Sequence, residues 1–198
     1  MESHAQAHCT GAEALRGWRP TVQAQAAASF APLGIRQPGV IICYDGTMNV
    51  IERDIVGAFF VSSDDKVLLG HNRAGGVYEG SLVVPGGGVE AGESQYEALR
   101  REMLEETGID VDDALSVELV NEHTGEHEKT LRDTQERVLV RMTFYDYLVK
   151  LPQNAQDTVV VPEDDWGTPV WLNKVDLAQA TISAPTAATL QKIGYLEG

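Results

Sequence analysis

Apolar and polar positions follow a regular pattern in several short stretches of this chain, and those stretches predict strands. A short apolar run closed by turn residues is typical of a buried strand, and strict alternation is typical of a strand with one buried face. Ser63, Asp64 and Asp65 separate two such runs and indicate a hairpin turn. The stretches that predict strands are 40–44, 55–62, 66–71, 81–84, 116–120, 136–149 and 170–172.

A different pattern predicts a helix in the middle of the chain. Ser94 and Glu97 have the spacing of a capping box, in which each side chain accepts a hydrogen bond from the other residue's backbone amide. Gly108 suits the left-handed residue that ends a helix. A second helix is predicted over 185–193. Because strands outnumber helices and one helix lies between strands, we expect an α/β or α+β domain with helices packed on a sheet.

The first 38 residues follow neither pattern. Pro20, Pro32 and Pro38 bracket an Ala- and Gln-rich run, so we expect a loose N-terminal extension over 1–38 with one short helix after Pro20. Residues 39–198 then form a single domain. A chain of this size buries a core without disulfides or structural metal.

The charge balance restricts the partners. With 15 basic and 30 acidic residues, the net charge of −15 argues against binding nucleic acid or an anionic membrane. A polyanionic substrate is still compatible if divalent cations mediate the contact. Cys9 and Cys43 are too few for a disulfide framework, which favours a reducing compartment. Without a signal-peptide pattern or an apolar run long enough to span a bilayer, we expect a cytoplasmic protein.

The middle helix carries three glutamates on one side. Glu102, Glu105 and Glu106 span about 100° of arc, and like charges at this spacing repel one another. Arg100 and Arg101 are expected to compensate that repulsion in part. A hard divalent cation such as Mg²⁺, which takes oxygen ligands, would compensate it better. The helix side therefore predicts a metal site.

A glycine turn precedes this helix. Gly86, Gly87 and Gly88 follow Pro85 and leave backbone amides and carbonyls open to a ligand or metal. We expect Gly86 and Gly88 to contact the substrate, together with Arg73 from the loop after an earlier predicted strand.

Residues 87–109 also carry a recognisable motif. They read G-x5-E-x7-R-E-U-x-E-E-x-G-U at every position, where U is aliphatic or methionine. This resembles the box of the Nudix hydrolase family. A V-P-G-G-G turn at 84–88, the strand that holds Trp171 and the C-terminal helix extend the resemblance over 39–198. The resemblance implies a Nudix-type α/β/α sandwich with a mixed central sheet.

The resemblance also implies a reaction and a set of roles. Nudix enzymes hydrolyse a nucleoside diphosphate linked to a further group, with Mg²⁺ as cofactor and Mn²⁺ as a substitute. It implies that Glu93 and Arg101 form an orienting pair in the catalytic site. For the general base we favour Glu105, with an acidic turn (Glu163, Asp164 and Asp165) as the alternative. The implied metal ligands are Glu102, Glu105, Glu106 and the Gly87 carbonyl.

The box leaves the substrate open. ADP-ribose hydrolases tend to carry a proline after the box, and many diadenosine polyphosphate hydrolases carry a tyrosine there. Neither residue occurs in 123–127, which weakens both assignments. Residues 68–78 loosely resemble GDP-mannose hydrolases, but those enzymes have a degenerate box. We favour a nucleotide-sugar or ADP-ribose-like diphosphate, and then a (d)NTP pyrophosphohydrolase. The expected partner is this small molecule, and a homodimer is a further hypothesis.

Other classes of protein are open but less favoured. A non-catalytic Nudix-fold sensor would be expected to lose box glutamates, and this chain keeps them. An isoprenoid diphosphate isomerase would need a catalytic Cys and a His-rich metal site, which Cys43 and five scattered His do not match. The acidic surface disfavours RNA decapping.

Several remaining residues favour ordinary roles. His123 and His127 are expected in a loop, exposed or lining the substrate cleft, rather than as a zinc pair. Trp18 and Trp166 are interpreted as packing anchors. We assign no function to the acidic residues that follow the helix, which are Asp110, Asp112 and Asp113.

Overall fold

A computed structural model describes residues 41–44, 48–71, 78–131, 133–161 and 166–197, with side chains from residue 49 onward. The predicted extension, Trp18, Arg73 and the acidic turn at 163–165 lie outside the described residues. The strands are β1 (Ile41–Tyr44), β2 (Met48–Val61), β3 (Val67–His71), β4 (Leu82–Val83), β5 (Gly86–Gly88), β6 (Ser116–Thr130), β7 (Arg137–Lys150) and β8 (Pro169–Leu172). The helices are α1 (Gln95–Thr107), α2 (Lys174–Leu177) and α3 (Ala184–Lys192), with 3₁₀ turns at Val111–Asp113 and Ala155–Asp157.

These strands form one mixed sheet whose main path is β4-β3-β2-β7-β6. The two long central strands, β2 and β7, run parallel and pair from Asn49 with Val138 to Val61 with Lys150. The short strands β1 and β5 pair antiparallel with β2, and β8 pairs antiparallel with β3. Strand β6 runs antiparallel beside β7. The order places β5, and hence the start of the box, against the middle of β2.

Alternate residues of β2 face two separate apolar clusters. Val56, Ala58 and Phe60 pack with α1, whose Leu99 and Met103 are completely buried. On the other face, residues of β2 and β3 pack with α2 and α3; the buried members are Phe59, Val61, Val67, Leu69, Leu82, Leu177 and Leu190. Helices on both faces of a mixed sheet confirm the predicted α/β/α sandwich.

The predicted middle helix is confirmed in detail. It begins after Ser94, whose side chain accepts from the Glu97 amide, while Glu97 accepts from the Ser94 amide. It ends at Gly108, which has the left-handed φ of 72°. The second predicted helix is found as α3, and the alternating stretch 136–149 is found as β7 within one residue at each end.

Two predictions about turns are wrong. The three glycines form the short strand β5, paired with residues 55–57 of β2. Residues 123–127, predicted as a loop, lie inside β6, which pairs with β7 out to Thr130 and Arg137. This half of β6 is polar and has no buried face of its own, so its pattern hides the strand. Cross-strand pairing stabilises it instead, including ion pairs from Arg141 to Glu126 and from Arg137 to Glu128.

None of the described helices is long and apolar enough to cross a membrane.

Candidate active site

The box helix is fixed to the sheet by an apolar stripe that adjoins its glutamates. Leu99 and Met103 are buried among apolar side chains of β2 and β7. The Tyr147 hydroxyl of β7 donates to Gln95 Oε1 at 3.0 Å at the start of the helix. Near its end the buried Thr107 hydroxyl donates to the Met103 carbonyl at 2.6 Å. The contacts of Leu99, Met103 and Gln95 hold the acidic side of α1 towards β5, whereas the Thr107 bond lies within the helix.

Strand β5 lies so close to α1 and to β2 that two of its positions have no room for a side chain. A Cβ at Gly87 would overlap the carboxylate of Glu102. A Cβ at Gly86 would overlap the carbonyl oxygen of Val56 on β2. The glycines are therefore required for close packing between strand, helix carboxylate and neighbouring strand. Gly88 meets nothing within 4 Å and is not restricted in this way.

Two box glutamates are held by different donors. The Gly86 amide donates to Glu106 Oε2 at 2.7 Å, which ties that carboxylate to the backbone of β5. Glu102 accepts from Arg101 Nη1 at 2.6 Å. Burial against β5 raises the pKa of Glu102, and the guanidinium of Arg101 opposes that shift. The carboxylate of Glu102 is thus crowded and only partly compensated by its neighbour.

Arg101 connects the helix to the loop before it. Its guanidinium binds Glu93 through Nε and Nη2, both at 2.9 Å, and Nη2 also donates to the Gly88 carbonyl at 2.9 Å. Nη1 adds a longer bond of 3.3 Å to Glu105. This two-point contact lowers the pKa of Glu93 and raises the pKa of Arg101. The expected pairing of Glu93 with Arg101 is found, and its role in orienting the site stays a prediction.

Arg100 does not take part in this network, so the expectation that it offsets the glutamates is wrong. It binds Asp110 through two hydrogen bonds of 2.9 and 2.7 Å and lies 3.0 Å from Asp112. Adjacent residues of a helix point about 100° apart, which directs Arg100 away from the acidic side. Asp110 and Asp112 therefore have a structural role at the turn after α1, where Asp110 also accepts from the Asp112 amide.

The donor set of this site fits a hard cation, although its carboxylates are not gathered around one point. In the described ranges there is no group of three or more His, Cys, Asp or Glu side chains close enough to hold a metal ion. Instead Arg101 and the Gly86 amide hold the glutamates individually. The carboxylate of Glu102 occupies the space that a Cβ at Gly87 would take, so it lies directly against the backbone of β5. Oxygen donors in this setting suit Mg²⁺.

The two candidate zinc histidines lie far apart along β6. Residues four apart in a strand are separated by about 13 Å, so His123 and His127 cannot share one ion. His123 stacks on Phe144, with ring centroids 4.8 Å apart and an angle of 9° between the planes. His127 is exposed.

Trp166 is a packing residue, as predicted. It is 5% exposed, and its indole covers Gly70, where any Cβ would overlap the ring.

One polar cluster, here called the Asp146 cluster, was not predicted. Asp146 is 6% exposed and lies on β7 beside Asn121 and His123 of β6 and Thr189 of α3. A charged residue at an inward position of the alternating stretch 136–149 was the available signal. The other three residues gave none, because they are brought together only by the sheet and by α3.

Comparison with known proteins identifies the family. A family model described as the NUDIX domain matches residues 52–190, and the chain belongs to this family. It is a Nudix hydrolase, an enzyme that acts on a phosphoric anhydride bond. The nucleoside triphosphatase NudI of Escherichia fergusonii is 32% identical over 125 residues, which cover 61% of this chain and 82% of that protein.

Solved structures show the same fold at lower identity. The NUDIX domain of Shewanella oneidensis NrtR, complexed with ADP ribose, has a TM-score of 0.53 and 16% identity, covering 72% of this chain and 86% of that one. The dihydroneopterin triphosphate pyrophosphohydrolase of E. coli has a TM-score of 0.51 and 20% identity, covering 70% and 92%.

Proposed function

We propose that this Nudix hydrolase is Mg²⁺-dependent and converts a nucleoside triphosphate into a nucleoside monophosphate and pyrophosphate. The observation that carries the proposal is the complete set of box glutamates, two of them in contact with β5. The choice of substrate rests on the relative with 32% identity, which is a nucleoside triphosphatase. The sequence alone favoured nucleotide sugars or ADP-ribose-like diphosphates, and these now come second.

Glu102 and Glu106 would hold the cation, with the Gly87 carbonyl as a further ligand. When bound, Mg²⁺ or Mn²⁺ neutralises phosphate oxygens and lowers the pKa of the attacking water. Arg101 positions these ligands indirectly. It binds Glu93 and the Gly88 carbonyl, and so fixes the loop that precedes α1. Arg101 and Glu93 therefore act as positioning residues.

Glu105 is the proposed general base. Its side chain is 52% exposed, against 15% for Glu102, and its bond to Arg101 is the longest of that network at 3.3 Å. Such a carboxylate is free enough to accept the proton of a water molecule. The water oxygen bonds to one phosphorus of the α–β anhydride as the bridging P–O bond breaks. Attack at the α-phosphorus expels pyrophosphate, and attack at the β-phosphorus expels the nucleoside monophosphate; in either case the leaving group takes the electron pair of the broken bond.

A panel of nucleotides with product identification tests the proposal. With Mg²⁺, a nucleoside triphosphate should give the monophosphate and pyrophosphate. If triphosphates are inert and a nucleotide sugar or ADP-ribose is cleaved, the substrate assignment is wrong and the second class replaces it. No release from any compound with Mg²⁺ or Mn²⁺ would contradict catalysis and favour a nucleotide-binding sensor.

The general base is tested separately. Glu105→Gln should lower turnover more than tenfold, because the amide cannot accept the proton. Glu118→Gln, an exposed position on β6, serves as the matched control and should leave turnover unchanged. Turnover of Glu105→Gln within tenfold of wild type removes Glu105 from this role. The homodimer and the cytoplasmic location stay predictions.

A further inference from the structure

One arginine of strand β2 has no role in the site described above. Arg53 is exposed, and it forms no hydrogen bond or ion pair with any of the described residues. The other arginines that the structure describes all bind carboxylates: Arg100, Arg101, Arg137 and Arg141. In a chain with 15 basic and 30 acidic residues, an arginine left without a carboxylate partner is available to bind an anion from solution.

Arg53 lies at a gap in the strand pairing. Strand β7 occupies one edge of β2, so β1 and β5 both pair with the other edge. On that edge the ladder with β1 ends at Ile51, and the ladder with β5 begins at Ile55. The Val89 amide still donates to the Asp54 carbonyl at 2.9 Å, and the chain then continues to α1. Arg53 therefore borders this gap on the edge of β2 that carries the box.

The gap is close to the start of the box. Ile55 pairs with Gly88, and Arg53 is two residues before Ile55 on the same face of the strand. These spacings place the Cα of Arg53 about 8 Å from that of Gly88. A Cβ at Gly88 would meet nothing within 4 Å, so this face of β5 is open at the end nearest to Arg53. The long side chain of arginine covers most of the distance between the two positions.

Neighbouring carboxylates do not neutralise Arg53. Glu52 and Asp54 are adjacent to it in the chain, but successive side chains of a strand point to opposite faces. Glu52 accordingly lies 3.5 Å from Arg141 on the other face of the sheet. Glu90, the first acidic residue beyond Val89, forms no ion pair with Arg53. The guanidinium keeps its full charge for a ligand.

The box leaves one part of a triphosphate without a positive partner. Arg101 is bound to Glu93 and Glu102, and Arg100 is bound to Asp110. A cation held by the box glutamates serves the anhydride that is cleaved, and the terminal phosphate lies beyond it. Arginine suits such a group, because its planar guanidinium makes two parallel hydrogen bonds to phosphate oxygens.

The charge and position of Arg53 indicate which substrates the site accepts. We propose that Arg53 binds the terminal phosphate of the triphosphate, and so selects a substrate whose outermost phosphate is free. In a nucleotide sugar or ADP-ribose the outer phosphate is esterified and carries a single negative charge, so its attraction to Arg53 is weaker. The inference rests on the proposed function, because it takes the α–β anhydride to lie at the box. Arg53 then determines specificity and takes no part in the chemical step.

Binding of cleavage-resistant analogues tests this inference without hydrolysis. The α,β-methylene triphosphate and the α,β-methylene diphosphate of one nucleoside differ only in the terminal phosphate. Titration calorimetry with Mg²⁺ compares the two for adenosine, guanosine, cytidine and uridine. Wild type should bind the triphosphate analogue at least tenfold more tightly for its preferred nucleoside. Arg53→Gln, which removes the charge, should reduce that ratio at least fivefold.

Two further variants separate a specific contact from a general effect of charge. Lys129→Gln removes a charge from another exposed cation, on β6 and far from the box, and should keep the ratio of wild type. Arg53→Lys keeps the charge without the planar group, and its ratio should lie between those of wild type and Arg53→Gln. The melting temperature of Arg53→Gln should equal that of wild type, because Arg53 has no partner to lose. Steady-state kinetics should show a higher KM for the triphosphate at unchanged kcat.

The outcomes are distinct. An unchanged ratio in Arg53→Gln overturns the inference, and so does an equal fall in Lys129→Gln, which would reflect overall charge alone. Hydrolysis of triphosphates with a ratio that does not depend on Arg53 leaves the proposed function intact and removes this inference. A ratio that depends on Arg53 in a protein that hydrolyses no triphosphate supports the inference and contradicts the proposed function. Failure of wild type to bind any of the triphosphate analogues overturns the inference.

Discussion

Two polar sites lie on opposite sides of strand β2, and the partners of their carboxylates differ. In the box, Glu93, Glu102 and Glu105 all contact the guanidinium of Arg101. In the Asp146 cluster, a more deeply buried carboxylate receives its shortest hydrogen bonds from a hydroxyl and an amide. Gly87 of β5 leaves room for the carboxylate of Glu102, whereas a Cβ at Gly57 of β2 would lie at an ordinary contact distance of 3.6 Å from Asp146 Oδ1.

The difference separates two uses of a carboxylate. Arg101 supplies positive charge and fixed geometry to residues that stay partly exposed, which suits a site that exchanges a cation and a product. Neutral donors around a buried carboxylate add no compensating charge, so the free energy of unfolding depends strongly on each hydrogen bond. We therefore expect changes in the box to affect mainly turnover, and changes in the cluster to affect mainly stability.

The largest effect is expected for Glu102→Gln. Loss of a metal ligand removes several kcal/mol of transition-state stabilisation, which corresponds to a fall in turnover on the order of 10³-fold. The melting temperature should not fall, since the raised pKa of Glu102 shows that its charge is unfavourable in the folded protein. Steady-state kinetics and thermal unfolding check both statements. Wild-type turnover in Glu102→Gln would show that this box glutamate is not required for catalysis.

The two glycines of β5 should respond in different ways. A methyl group at Gly87 meets the flexible end of Glu102, so Gly87→Ala should displace that carboxylate and lower turnover with little change in stability. A methyl group at Gly86 meets the backbone of Val56, so Gly86→Ala should destabilise the fold by about 1–3 kcal/mol. Chemical denaturation and kinetics of both variants check the contrast. Equal losses of stability would show that β5 is held as one rigid unit.

Thr189→Val tests the carboxylate that is held by neutral donors, Asp146. The substitution keeps the shape of a completely buried side chain and removes the 2.5 Å hydrogen bond to Asp146. Leaving a buried carboxylate without that donor should cost about 1–3 kcal/mol in the free energy of unfolding. Turnover at saturating substrate should change little. A stability equal to wild type would contradict the view that neutral donors control this site.

Local sequence was sufficient to predict the box helix. Its capping box, its terminal glycine and the side that carries the glutamates are all set by residues within one segment, and each is found in α1. The pairing of Glu93 with Arg101 followed from the family motif and is also found. What the motif could not indicate is that Arg100 turns to Asp110, because that contact depends on the path of the chain after the helix.

Features set by distant strands were not predictable. Strand β5 consists of three glycines, which carry no apolar pattern and become a strand by pairing with β2. The outer half of β6 is polar and is stabilised by its pairing with β7. The Asp146 cluster needs β6, β7 and α3 together, with Asn121 and Thr189 separated by 68 residues. Pairing across the sheet decides all three, and a single sequence does not encode its register locally.

The smallest expected effect concerns the pH dependence of stability. Arg101 lowers the pKa of Glu93 below its usual value of 4.5, so the folded state favours the ionised carboxylate. This contribution is fully present above pH 4.5 and is lost as the pH falls through the lower pKa of the folded state. Burial raises the pKa of Glu102 and acts in the opposite direction, which reduces the net effect in wild type.

Glu93→Gln isolates the contribution of Glu93. Without metal, the variant should be less stable than wild type near neutral pH, and the two free energies of unfolding should converge as the pH falls below 4.5. Denaturant unfolding at a series of pH values measures the difference. A gap that widens on acidification would mean that Arg101 does not favour the ionised form of Glu93. It would also remove the distinction between a charge-paired box and a cluster held by neutral donors.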